Sequence, residues 1–344
     1  MGKKFDVVIG NPPYQEEAQG EGTRDTPVYH QFMDAAYQVA NKAVLITPAR
    51  FLFNAGFTPK AWNEKMLADR HLSVPYYVPN SNDLFPGTDI KGGIAVTYWD
   101  EDRDDEPIDT FTSYPELNEI LHKVNMANDG SIAPTITSSR SFRYTEALYA
   151  EHTQARALRP DGNAALVNTN AFEQFSFLYH ATQPEDKHDY VRVLGLVKNR
   201  RLTRWIRKNY ITGPASFHTF KVVVPAANGS GALGEPLSSP LVAEPEVAVT
   251  QTFITIGAFE EIAQAQACLN YVKTKFARVM LGILKITQHN PAKVWKHVPL
   301  QNFTETSDID WSKPIVDIDQ QLYAKYNLDA AQIRFIESHV KPMG

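Results

Sequence analysis

Phe5-Asp6-Val7-Val8-Ile9-Gly10-Asn11-Pro12-Pro13-Tyr14 is the stretch on which the fold turns. Its first half is a short, largely apolar run closed by a glycine, the pattern of a buried parallel strand that ends in a tight loop. Two prolines then fix φ and stiffen that loop. Further along, Val28, Phe32, Ala35, Ala36 and Val39 recur at spacings of three and four, which predicts an amphipathic helix over 28–39. A second buried strand is read at 43–48, a helix at 59–69, a strand at 74–78, a loop at 80–91 and a strand at 94–99. Strand, helix, strand, helix and two further strands make an α/β layer arrangement.

The whole chain has 344 residues, 43% of them apolar and 21% charged, which excludes disorder as its main state and leaves room for two domains. No apolar run approaches the roughly 20 residues that a membrane-spanning helix needs. Lys3-Lys4 is followed by too short an apolar stretch for a secretion signal, so the cytoplasm is the expected compartment. Cys268 is the single cysteine, which rules out an internal disulfide and a cysteine-rich zinc site. The histidines are scattered singly, without metal-ligand spacing, and no catalytic metal is expected.

The formal charge of −5 hides an asymmetry. Residues 1–110 carry 10 Lys/Arg against 17 Asp/Glu, and seven of those acids fall within 100–109, where a domain boundary is expected. By contrast 190–234 holds eight cations (Arg192, Lys198, Arg200, Arg201, Arg204, Arg207, Lys208 and Lys221) and no acid. A charge run is often only a solvated face, but one this one-sided fits a nucleic-acid backbone. Trp205 and Tyr210 are interleaved with it, as base-stacking groups or as core. In the remainder of the chain, a strand is expected at 219–224 and one long helix at 262–284.

The Asn-Pro-Pro-Tyr loop can be read as a plain turn or as chemistry. An exocyclic aromatic amine is a poor nucleophile because its lone pair is delocalised into the ring. The Asn11 amide oxygen and the Pro12 carbonyl could accept both of its hydrogens and release the lone pair for attack. Tyr14 offers a flat face for an extruded base.

With its preceding strand, this motif resembles the catalytic motif of gamma-class DNA adenine-N6 methyltransferases, in particular the modification-methylase region of bifunctional restriction–modification enzymes. Tyr29 and Phe32, the run Leu45-Ile46-Thr47-Pro48-Ala49-Arg50-Phe51-Leu52, and Asp83-Leu84-Phe85-Pro86-Gly87 with the strand after it resemble later parts of the same domain. The resemblance implies the C-terminal half of a Rossmann-like sheet that uses S-adenosylmethionine (AdoMet), over residues 1–110, followed by an α+β DNA target-recognition domain over 111–344. It implies site-specific adenine-N6 methylation in a restriction–modification system, by direct transfer of the AdoMet methyl to a flipped adenine. Asn11, Pro12, Pro13 and Tyr14 would be the catalytic set, and Tyr14 and Phe85 the walls of the base pocket. Double-stranded DNA would lie against Lys198, Arg200, Arg201, Arg204, Arg207, Lys208 and Lys221.

Such enzymes carry a glycine-rich AdoMet loop before the motif, where only ten residues stand here. The chain therefore reads as starting in mid-domain and as inactive alone. Gly229-Ser230-Gly231-Ala232-Leu233-Gly234 has the right glycines, but prolines at 236, 240 and 245 forbid the helix that a cofactor loop should open, and the cofactor-binding residues remain unassigned. Glu185-Asp186-Lys187 is too short a match to nuclease sites to mean more than chance. The rival reading is a non-catalytic DNA-specificity module that needs a partner chain for cofactor; a weaker one is an RNA or protein amino-group methylase. In either case strand 5–9 is expected to be an apolar edge, covered by the chain itself or used for association with a second copy or an upstream methyltransferase segment.

Overall fold

Four strands, β1 (Phe5–Gly10), β2 (Ala40–Pro48), β3 (Leu72–Val78) and β4 (Ile94–Asp100), form one sheet in the computed structural model, which describes residues 4–16, 26–55, 57–158 and 165–343. Their order is β1-β2-β4-β3. β1 and β2 run parallel, whereas β4 is antiparallel to both of its neighbours. The sheet belongs to the first of two compact units, Met1–Glu119 and Ile120–Gly344. Together the units are mixed α/β with several sheets.

Helices α1 (Tyr29–Val39) and α2 (Lys60–Leu67) cover one face of this sheet. Tyr29, Met33, Ala36 and Tyr37 from α1, and Trp62 and Met66 from α2, bury against Ala43, Leu45, Leu72, Ala95 and Trp99. Tyr37 stacks on Trp99 at 4.9 Å. The buried face of α1 is thus rotated from the expected one, for Phe32 and Val39 are exposed at 46% and 38%. The two tyrosines and Met33 share one helical face and fill the space over the sheet, leaving Phe32 and Val39 of the predicted face outside.

β1 is parallel, as expected, but it is not buried. Val8 packs toward the helices, while Phe5, Val7 and Ile9 on the opposite face are exposed at 48%, 47% and 77%. Among the described residues β1 has one paired neighbour, β2. Self-coverage of that edge is not seen among them.

The acid-rich segment is pinned rather than free. Arg70 pairs with Asp104 at 2.5 Å, Arg103 with Asp105, and the Asp109 amide donates to the Leu67 carbonyl at 2.8 Å. Gly93 closes the loop between β3 and β4 with φ of 78°; a Cβ there would sit 2.3 Å from the Val78 carbonyl. Only glycine permits that approach, which sets where Asp89 and Ile90 stand.

In the second unit a hairpin of β5 (Tyr190–Val197) and β6 (Arg200–Arg207) turns through Lys198 and Asn199, both at positive φ (47° and 62°). Such a two-residue turn matches the strand twist. The second sheet there contains β7 (Phe220–Pro225), β8 (Leu241–Ala243) and, after the short strand β9 (Val247–Val249), β10 (Phe253–Phe259). β9 joins the hairpin sheet beside β5, while β7 lies between β8 and β10. The long helix predicted at 262–284 is two, Ile262–Lys273 and Lys275–Gly282. Thr274 is extended there; its hydroxyl caps the Ala277 amide, and Asp319 accepts from the amides of Lys275 and Phe276. A side-chain oxygen at each of these donors makes a fresh helix start favourable over continuation.

Candidate functional site

Gly10 and Pro48 end the two parallel strands, and the residues that follow each strand converge. A cavity of about 480 Å³ lies there, lined by Asn11, Pro12, Pro13 and Tyr14 from the end of β1, by Pro48 and Arg50 from the end of β2, and by Tyr29, Phe57, Asp89 and Ile90. Ligands of open α/β sheets collect outside the carboxyl ends of the strands, and the volume is that of an ordinary small-molecule site. Two larger cavities, about 650 and 600 Å³, lie in the second unit and contain none of these residues.

The Asn-Pro-Pro-Tyr loop is held at its far end, where the Val28 amide donates to the Tyr14 carbonyl at 3.1 Å and two short strands, Gln15–Glu16 and Thr26–Pro27, pair. Asn11 is exposed and Tyr14 half-buried. Burial raises the pKa of the Tyr14 hydroxyl, and the Asn11 side chain offsets part of the rise. Burial likewise pushes Tyr29 up to about 12, against the Thr58 hydroxyl and the Arg50 charge. Both phenols are neutral at pH 7 and carry no anionic charge of their own; Tyr29 is a core residue, 3% exposed, and the Tyr14 hydroxyl oxygen is buried.

Arg50 turns its Nε to the Lys91 carbonyl at 2.7 Å. Asp89 is paired with Lys91 at 2.7 Å. Phe85, expected as a wall, is half-buried in a turn in which its amide donates to Ser81 and its carbonyl accepts from Thr88; it is not among the cavity-lining residues. Sequence reasoning gave no role to Arg50, Phe57, Asp89 or Ile90. The signal for Arg50 was its place two residues after the strand-ending Pro48; Phe57 had none.

The basic segment is less one-sided in space than in sequence, because acids outside it return to it. Arg192 pairs with Glu244 at 2.5 Å, Arg207 with Glu151 at 2.9 Å, and Lys208 with Glu246 at 3.0 Å. Arg201 donates to the carbonyls of Ser238 and Ser239 and lies over the Phe253 ring. Tyr210 is core, 2% exposed, with its hydroxyl donating to Glu151 at 2.6 Å. Trp205 is half-buried, under the Arg192 guanidinium. Lys198, Arg200 and Arg204, at and near the hairpin turn, form no ion pair with the described acids.

Lys221 stands apart from that surface. It is fully buried, and its ammonium donates to the carbonyls of Phe217, Thr219 and Glu244 at 3.4, 3.1 and 3.0 Å. Burial lowers its pKa to about 8, partly opposed by Glu246 and assisted by Arg192. The folded value is below the unfolded one, so the burial penalty is full below pH 8 and fades as pH rises toward the ordinary lysine range. Stability should therefore rise with pH over that window, and Lys221→Met should abolish the rise. Guanidinium midpoints measured across the window check this; a variant that kept the rise would show that another group is responsible.

The glycine loop at 229–234 is closed by its own neighbour. Glu235 accepts from the amides of Ser230 and Gly231 and from the Ser230 hydroxyl at 2.6–3.0 Å, with Lys285 at 3.7 Å. Burial would raise this carboxyl, but those donors hold it down to about 2. The amides that would cradle AdoMet are taken, and no helix follows them. These residues do not fit the cofactor. Among the described residues there is no cluster of three or more potential metal ligands, and no helix is long and apolar enough to cross a membrane.

Residues 1–85 match the Eco57I restriction-modification methylase family, so the resemblance carried by the motif and its flanking strands holds. An uncharacterized adenine-specific methylase of Mycoplasma pneumoniae is 30% identical over 99 residues, 28% of this chain and 24% of that protein. The match thus spans about a quarter of that relative's length. Among solved structures, the type IIG restriction endonuclease BpuSI is similar over 97% of this chain and 53% of its own, at 10% identity and a TM-score of 0.32. The type IIL restriction-modification enzyme MmeI, solved in complex with DNA, is similar over 97% and 56%, at 10% identity and a TM-score of 0.29.

Proposed function

We propose, from the premise that residues 1–85 are those of a restriction-modification methylase, that this chain supplies the acceptor side of a site-specific DNA adenine-N6 methylase. One observation carries the reading: Asn11, Pro12 and Tyr14 line one cavity at the carboxyl ends of two parallel strands. The Asn11 amide oxygen and Pro12 carbonyl accept the two amino hydrogens of a flipped adenine, and Tyr14 stacks on its ring. The strand order β1-β2-β4-β3, with β4 antiparallel, supports the C-terminal half of a Rossmann-like sheet. The hairpin turn at Lys198, with Arg200 and Arg204, supports a DNA backbone contact in a target-recognition domain.

Methylases of this kind use AdoMet as methyl donor, and this chain by itself is inactive in our reading because the glycine-patterned loop at 229–234 is closed by Glu235. The same closure favours a second reading, a DNA-specificity module that works only with a cofactor-bearing partner. The outer edge of β1 is where such a segment, or a second copy, would add a strand.

The test is to treat unmodified genomic DNA with this chain, alone and together with a cofactor-bearing methyltransferase segment, and isotopically labelled AdoMet, then identify the labelled base by mass spectrometry. N6-methyladenine is expected. Label in cytosine overturns the adenine reading; duplex binding without any label selects the specificity module.

A further inference from the structure

Lys198, Asn199 and Arg200 are exposed side by side at the end of the hairpin of β5 and β6. Behind them the stem is packed up to its last pairs. Val197 and Leu202 lie against the hydrophobic core of the second unit, and Arg201 donates to the carbonyls of Ser238 and Ser239. Gly195, opposite Leu202, is so close to the Phe172 ring that a Cβ there would sit 2.6 Å from it. The turn is therefore carried on a fixed stem, which spares it the ordering cost that a loose loop meets on binding. Its two central residues are both at positive φ, 47° at Lys198 and 62° at Asn199. Glycine, asparagine and aspartate are the residues that such a turn favours, so Lys198 is held there against its own backbone preference. The result is one amide with a cation on either side, and none of the three side chains has a hydrogen-bond or ion-pair partner among the described residues.

We propose that Asn199 is a specificity-determining residue, which enters the major groove of the DNA and reads an adenine other than the one that is methylated. The inference rests on the DNA-recognition reading above and adds a base contact to the backbone contact argued there. A two-stranded ribbon, its strands about 4.8 Å apart before side chains are added, fits a major groove about 12 Å wide and not a minor groove of about 6 Å. Lysine and arginine side chains have donors only, which suits Lys198 and Arg200 to phosphates. Asn199 presents a donor and an acceptor together, and the adenine edge in the major groove answers with the N7 acceptor and the 6-amino donor. Phosphates held on both sides of the tip set the register in which that amide meets a base.

The experiment is selection by this chain from a randomised duplex pool, with the bound fraction quantified and sequenced at two salt concentrations. The wild-type chain should enrich adenine at one position, and Asn199→Gly should lose that preference by roughly tenfold, the size of one bidentate base contact. Preferences elsewhere and the salt slope should not change, because no phosphate contact is removed. Glycine suits the φ of this turn, so the substitution leaves the hairpin folded. Asn199→Arg should move the preference at that position from adenine to guanine. An Asn199→Gly pattern identical to the wild type overturns the proposal, as does a uniform loss with a flatter salt slope, which marks a phosphate contact alone. Loss of a preference for another base overturns the adenine assignment. Wild-type binding without base preference removes the base contact and leaves the backbone contact standing; no duplex binding at all removes the recognition reading itself.

Discussion

Asn11→Ala should lower methyl transfer to adenine by roughly 10²–10³-fold, the usual effect of removing one aimed hydrogen-bonding group from the reacting centre. In the proposed reading the group it removes acts where charge changes. As the amino nitrogen becomes tetrahedral its hydrogens grow more acidic, and an acceptor fixed beforehand gains strength without reorganising. Asn11 is exposed and follows directly on the end of β1, so its truncation leaves no cavity in the core and should not shift the unfolding midpoint. Asn11→Asp keeps an acceptor oxygen and should lose less than alanine does. Labelled-methyl transfer with saturating duplex separates kcat from binding; if kcat is unchanged in the alanine variant, Asn11 does not face the reacting nitrogen.

Replacing Lys198, Arg200 and Arg204 together by glutamine should weaken duplex binding by an order of magnitude or more at physiological salt. It should also flatten the salt dependence by about 2.7 in slope, about 0.9 for each phosphate that is no longer neutralised. These three cations are ones that described acids from elsewhere do not neutralise, and they cluster at a turn whose geometry is fixed by its two positive-φ residues. Arg207→Gln provides the contrast. Its guanidinium is occupied by Glu151 and Tyr210, so that substitution should cost stability while moving the salt slope by less than the value for a single phosphate. Fluorescence anisotropy with a labelled duplex over a salt series reads both. An unchanged slope in the triple variant would place the DNA elsewhere.

Much of the first unit was legible because its signals are local. The glycine-closed strand, the proline-ended second strand and the helices between strands all declare themselves within a few residues, and the structure has each of them. The misreadings came from tertiary context. Which face of α1 is buried was decided by how Tyr29 and Tyr37 fit the sheet, not by a count of aliphatic spacings. The break at Thr274 depends on Asp319, far along the chain. Lys221 reads as a surface cation until the carbonyls of Phe217, Thr219 and Glu244 enclose it. Phe57 lines the cavity from the segment after β2, a placement that nothing in periodicity encodes.

The self-closed glycine loop bears on competition as well as on cofactor fit. A carboxylate tethered four or five residues from the amides it occupies acts as an intramolecular ligand, with an effective concentration of the order of millimolar or above. Any free phosphate or carboxylate has to displace it at that concentration, while also separating it from Lys285. Free anions at ordinary cellular levels then find the loop already occupied, so the glycine pattern acts as a latch between Ser230 and Glu235 that keeps the segment folded against α-helical Gly282 and the residues after it.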